Sequence, residues 1–143
     1  MASVRQRARS VALQALYEAD LSGHQASGAA ERLIAESRLS QAGRSLAAYL
    51  VDVVIEQREQ IDRLIQEAAP LWPLGQVAPV DRNILRLAVG ELFFPPEDAA
   101  PVKAVINEVV DLAKMYGSEG SARFVNGVLG TLSGQLTSAS ERR

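Results

Sequence analysis

Apolar residues recur at steps of three and four along nearly the whole chain. That is the period of helices that bury one face. In VRQRARSVALQALYEAD, residues 4–20, Ala8, Val11, Ala12, Ala15, Leu16 and Ala19 fall on one side, and Arg7, Gln14 and Glu18 on the other. Ser22, Gly23, Ser27 and Gly28 then mark a loop, and AAERLIAES, residues 29–37, reads as a short second helix.

The longest pattern runs from about Arg44 to Ala68. Leu46, Leu50, Val53, Val54, Ile61, Leu64, Ile65 and Ala68 form its apolar stripe, opposite Glu56, Arg58, Glu59, Asp62 and Arg63. Pro70 and Pro73 end it. The linker PLWPLGQVAP carries the one tryptophan, Trp72, expected to pack as a structural anchor. PVDRNILRLAVGELFF forms the next helix, with Ile84, Leu85, Ala88 and Leu92 on its core face and Pro95 and Pro96 closing it. PVKAVINEVVDLAKMYG follows, with Pro101 suited to a first turn and Gly117 to a C-terminal cap. In SARFVNGVLGTLSGQL, Val125, Val128, Leu129, Leu132 and Leu136 make a core stripe, and Gly127, Gly130 and Gly134 a bare one beside it. No stretch alternates like an exposed strand. The pattern predicts an all-α fold of six or seven helices in one bundle or two sub-bundles. We expect a single domain over residues 1–136 and a flexible polar tail over 137–143.

Composition narrows the class. The 143 residues are 48% hydrophobic and 22% charged, with a net charge of -2 and no cysteine. Disulfides, thiolate nucleophiles and Cys-ligated metals are thereby excluded, and a reducing cytoplasm fits. No secretory signal or membrane-spanning segment is expected, because charges interrupt every apolar window. The charge argues against a nucleic-acid binder coated in positive residues, yet it leaves room for a local basic patch.

Candidate chemistry is sparse. His24, the one histidine, sits in the Gly/Ser loop with no second His near it. GxSxG, P-loop and HExxH motifs are absent. Glu108 with Asp111 and Glu56 with Glu59 are helical neighbours, and such pairs read as solvated surface rather than catalytic acids. Arg86 and Glu108 are expected to pair across a helix interface, fixing how the helices dock.

The N-terminal arginines say more. Arg5, Arg7 and Arg9 open a helix without a neighbouring acid. Cations there oppose the helix dipole at a cost of about 0.3–1 kcal/mol each when exposed. A bound polyanion would relieve that cost and release counterions. The plainer reading is a set of solvated arginines on a frayed end. Phe124 borders both stripes of the last helix, and reads either as core or as a ring on which a base stacks.

Four stretches in order, RARSVALQALYEAD, VDRNILRLAVGEL, PVKAVINEVVDLAKMYG and SARFVNGVLG, resemble the NusB family of bacterial transcription antitermination factors. The resemblance covers Arg5 to about Leu132, and FVNGVL after INE…LAK is its most specific part. It implies two small helical bundles and no catalytic activity or cofactor. It also implies binding of boxA RNA in ribosomal RNA leader transcripts, together with the ribosomal protein NusE, within an antitermination complex on RNA polymerase. Carried onto this chain, Arg5, Arg7 and Arg9 would position phosphate. Arg123 would also meet phosphate, Phe124 a base or sugar, and Asp81 the basic partner protein. At Gly120 this chain departs from relatives that carry an acid there, and Glu119 is the neighbouring substitute.

Two other readings compete. A helical adaptor or homodimer could work by protein contact alone. NusB-like domains are also fused to ribosomal RNA cytosine methyltransferases, but these residues hold no Gly-rich cofactor-binding stretch.

Overall fold

A computed structural model of the chain describes residues 3–141, with side chains as far as Leu136. Seven α-helices and one 3-10 turn make up the described residues: α1 (Val4–Ser22), α2 (Ala26–Glu36), α3 (Gln41–Glu56), α4 (Arg58–Ala68), the turn Leu74–Gln76, α5 (Pro79–Phe93), α6 (Val102–Tyr116) and α7 (Ser121–Glu141). The fold is all-α. The expected tail, 137–143, lies outside the described side chains, although the backbone of α7 continues to Glu141.

Local chemistry sets several boundaries. Ser3 caps α1 by accepting from the Gln6 N–H at 3.0 Å, and Ser40 caps α3 by accepting from Gly43 at 3.2 Å. Each satisfies an N–H that the helix itself leaves free. Gly23 ends α1 in the left-handed region, at φ 76°. Pro79 opens α5 at a position where a missing N–H costs nothing.

The long pattern from Arg44 to Ala68 is two helices, not one. They break at Gln57, which has φ -108° and ψ 19°. No Gly or Pro marks this site. Val54 and Ile61, seven residues apart, both lie in the same core, so the apolar phase runs through the break. The change of direction lets α4 leave α3 and pack on α5 and α7.

α1, α2 and α3 pack on one another, and α5 meets α1, α3, α4, α6 and α7. The central helix is therefore buried almost all round: every residue from Asn83 to Leu92 is shielded. Such a helix has no wet stripe, so its polar residues Asn83, Arg86 and Glu91 are buried with the apolar ones and need partners inside. One continuous core of Leu, Ile, Val and Ala joins both halves, and Ala8, Leu39 and Ala47 form a small satellite.

Two polar clusters cross this core. Arg9 on α1 and Glu91 on α5 are each 2% exposed. Arg9 donates to both carboxylate oxygens, at 2.7 and 2.8 Å. Gln6 completes the site by accepting from Arg9 at 3.3 Å and donating to the Glu108 carbonyl at 2.6 Å. At the other end of α1, the Asp20 carboxylate accepts from Arg82 at 2.8 Å and Asn83 at 2.9 Å. Arg86 adds a longer contact to Asp20 at 3.4 Å and pairs with Asp62 of α4 at 2.8 Å.

The expected Arg86–Glu108 pair is thus corrected. Arg86 points between α1 and α4, whereas Glu108 lies on α6. A guanidinium buried on α5 needs carboxylates, and it takes the ones on the helices it faces.

Removing one member of the Arg9–Glu91 pair leaves a buried, unpaired charge. Glu91→Ala should destabilise the fold by about 3–5 kcal/mol, read by urea unfolding. The double variant Arg9→Met/Glu91→Leu should lose far less, and equal losses would show that the pair itself sustains stability.

Candidate nucleic-acid interface

The structure separates the three N-terminal arginines. Arg7 is exposed and donates to the Arg38 carbonyl at 3.2 Å. Arg5 is half-buried and pairs with Asp98 at 3.1 Å. Arg9 is enclosed, with its guanidinium engaged by Glu91. The expectation that Arg9 meets phosphate is therefore corrected: a side chain 2% exposed cannot reach a ligand without opening the core. The sequence held a sign of this. Arg9 lies four and seven residues before Leu13 and Leu16, on the buried stripe of α1.

Arg123, Phe124 and Gly120 come together at the start of α7. Arg123 is exposed and Phe124 half-buried. With Trp72, Gln76, Val77, Ala78, Asp81 and Glu119 they line a groove of about 430 Å³. Asp81, expected to face a partner protein, is thus in the same groove as the two residues expected to face RNA. A second, apolar groove of about 330 Å³ adjoins it, where Leu71, Trp72 and Val128 meet Gly127.

Trp72 is not the buried anchor expected of it. It is 60% exposed, and its ring meets Phe124 edge to face with centroids 5.9 Å apart and planes at 68°. Pro70 and Pro73 flank it in a linker without regular helix, which holds it at the surface.

The turn into α7 depends on two glycines. Gly120 has φ 91°, where a Cβ would be strained although nothing crowds it. Its carbonyl accepts the first helical bond, from Phe124 N–H at 3.0 Å. Gly117 is extended instead, at φ -87° and ψ -171°. There a Cβ would lie 2.5 Å from Ser121 Cβ and Oγ. Close approach, not conformation, selects glycine at that position. Ser121 Oγ in turn accepts from the Ser118 N–H at 2.9 Å. These contacts fix how Arg123 and Phe124 leave the turn. Glu119, beside Gly120, is exposed at the rim of the groove.

The two candidate patches stand at opposite ends of α5. Arg5 reaches Asp98, beyond its C-terminal end, while Phe124 shares a groove with Asp81 in its first turn. A helix of this length rises about 20 Å. The exposed end of α6 lies between them, with Met115 66% and Tyr116 39% exposed. Tyr116 hydrogen-bonds Ser10 of α1 through their hydroxyls, which ties the α6 end to the basic helix.

Other candidates separate cleanly. His24 is exposed in its loop, as expected. Gly127, Gly130 and Gly134 face open space, so no backbone of the described residues packs on that stripe. No group of three or more metal-ligating side chains occurs among the described residues, and none of the described helices is long and apolar enough to cross a membrane.

A family model, the NusB family, matches residues 6–133. The chain belongs to the NusB family. Transcription antitermination protein NusB of Roseiflexus sp. strain RS-1 is 46% identical over 132 residues, 92% of this chain and 93% of that protein. Among solved structures, T. maritima NusB is 32% identical with a TM-score of 0.82, covering 91% of this chain and 90% of the other. A crystal structure of antitermination factors NusB and NusE in complex with dsRNA includes a chain 32% identical to this one. Its TM-score is 0.79, and 91% of this chain and 96% of that one are covered. The family match takes in Arg7, Asp81, Arg123 and Phe124, and begins one residue after Arg5.

Asp20, which ties α1 to α5 beneath this surface, gives a pH test. Burial pushes its carboxyl up, but hydrogen bonds from Asn83 and Arg82 and the charges of Arg82 and Arg86 outweigh burial and hold it below the usual carboxylate range. A pKa lowered by folding contributes stability that is complete above the unfolded value, about 3.9, and is lost as pH falls through the folded value. Asp20→Asn should therefore lower Tm at neutral pH and shrink the further fall in acid. An unchanged acid slope would count against this role.

Proposed function

We propose that this chain is a transcription antitermination factor that binds boxA-type RNA of ribosomal RNA leaders together with NusE, and so favours readthrough by RNA polymerase. The observation that carries the reading is the exposed Arg123 beside Phe124 and Trp72, in a chain whose NusB relative is seen with NusE and dsRNA. An exposed cation next to open aromatic edges suits a single strand, whose phosphates and splayed bases need those two chemistries. Arg7 supplies a second cation at the far end of α5, and Arg5 a third where phosphate displaces Asp98. A single strand running past the end of α6 joins the two patches. Residues 1–136 form the working domain in this reading. It assigns the chain no reaction and no cofactor, and places it in the cytoplasm with the transcripts it handles.

Phosphate contacts carry a salt signature. With two or three cations engaged, log affinity for single-stranded RNA should fall against log salt with a slope of about -1.4 to -2. Arg7→Ala and Arg123→Ala should each reduce that slope by about 0.7, whereas Arg9→Met should lower Tm and leave the slope of the folded protein unchanged. Filter binding across a salt series reads both. With NusE present, boxA RNA should bind more tightly than a scrambled strand, and equal affinity would sink the boxA reading.

A further inference from the structure

The loop between α5 and α6 reads PPEDAAP, residues 95–101, with two acids, Glu97 and Asp98, and no base. Its three prolines restrict the backbone. Tyr49 of α3 pins its start, donating to the Phe94 carbonyl at 2.6 Å and the Pro95 carbonyl at 3.1 Å. The loop is thereby held at the foot of α1. There Asp98 takes Arg5 twice: its carboxylate lies 3.1 Å from Nη2, and its main-chain carbonyl accepts from the same nitrogen.

This hold is incomplete. The Asp98 side chain is 86% exposed and that of Arg5 30%, so water weakens the pair. Arg5 Nη1 is shielded and has no hydrogen-bond partner. A guanidinium presents its N–H groups as a fork, which an anion with several oxygens satisfies better than one carboxylate oxygen and a carbonyl on a single nitrogen. Arg7 differs. It donates to the Arg38 carbonyl, a neutral group, and gives up no ion pair when an anion arrives. Glu97 is exposed and makes no ion pair among the described residues.

We propose that Asp98 is a built-in phosphate mimic, an autoinhibitory contact that masks Arg5 from RNA. The proposal rests on the RNA-binding reading above and adds a restraint to it. A phosphate that approaches Arg5 must first displace the carboxylate. Because Tyr49 and the prolines keep the loop in place, the displaced Asp98 stays beside the phosphate, and the two anions repel. In the native chain the strand therefore grips Arg7 and Arg123, and Arg5 joins only where Asp98 gives way. The effect is selective. Phosphate contact is the part of binding that ignores sequence. Withholding one cation lowers that part and leaves base contacts a larger share of the total.

A double-mutant cycle on the full chain tests the mask, with a labelled boxA-type single strand read by anisotropy across a salt series. Asp98→Asn should tighten binding about threefold at low salt, the scale of one exposed ion pair. It should also steepen the slope of log affinity against log salt by about 0.7, one further phosphate contact. Glu97→Gln makes the same charge change next door without touching Arg5, and should leave the slope as it is. Arg5→Ala should move the slope little in the native chain, but by about 0.7 in the Asp98→Asn chain. Equal gains from Asp98→Asn and Glu97→Gln, or a gain from Asp98→Asn that persists alongside Arg5→Ala, would assign the effect to the general charge of the loop. Either result overturns the mask and leaves RNA binding intact. A fall in Tm for Asp98→Asn with unchanged affinity would make the pair purely structural, and overturns it too. Failure of every chain to bind the strand would overturn both the mask and the RNA-binding reading.

Discussion

A guanidinium and a carboxylate, each 2% exposed, hold the first helix to the fifth in the middle of an apolar core. Both ions have left water, at a cost that is repaid only by good geometry and complete hydrogen bonding. Both conditions are met. Arg9 presents two N–H groups to the two oxygens of Glu91, and the Gln6 amide takes a further one. The pair therefore specifies one docking of α1 on α5 more than it adds net stability. A slip of α1 along α5 would bury two bare charges. Everything else is arranged around that docked pair: α5 is enclosed by five other helices, and the Asp20 cluster fixes the opposite end of α1 against the same helix.

This constraint shapes the candidate interface. Because α1 runs antiparallel to α5, its basic start lies at one end of the central helix and the Phe124 groove at the other. A ligand that touches both must be extended. It must also cross a surface of mixed charge, since the chain has a net charge of -2 and its exposed cations, Arg7, Arg38, Arg63 and Arg123 among them, are spread over several helices. The groove itself rests on rigid supports. Asp81 belongs to the buried helix, and Phe124 leaves a turn fixed by Gly117, Gly120 and Ser121, so neither residue depends on a loose loop.

The apolar period showed the helices plainly, since a buried face repeats every three or four residues whatever lies around it. It did not show the break at Gln57. Helical phase continues through that site, and the bend is imposed by the partners of α4 rather than by a breaker residue. Side-chain destinations were legible unevenly. Gly120 and Phe124 were singled out and lie together at one groove, but Trp72 was expected inside and stands outside, because a ring between two prolines goes where the linker carries it. Arg9 was grouped with Arg5 and Arg7 by spacing alone. Its partner, Glu91, lies 82 residues away, and no local pattern connects the two.

The all-α class, the main helices, the family, and a basic start on an acidic chain were readable from the order of residues alone. These follow from local periodicity and from ordered motifs. The tertiary structure decided which cations are free. Arg5, Arg7 and Arg9 are alike along the chain, yet one is half-buried and paired, one is exposed and one is enclosed. It also decided that Asp81 joins Trp72, Arg123 and Phe124 in one groove, across more than 40 residues of sequence. The physical reason is the same in both cases. Burial and pairing are properties of the helix that packs opposite, and the identity of that helix is not written in the spacing of the residues it covers.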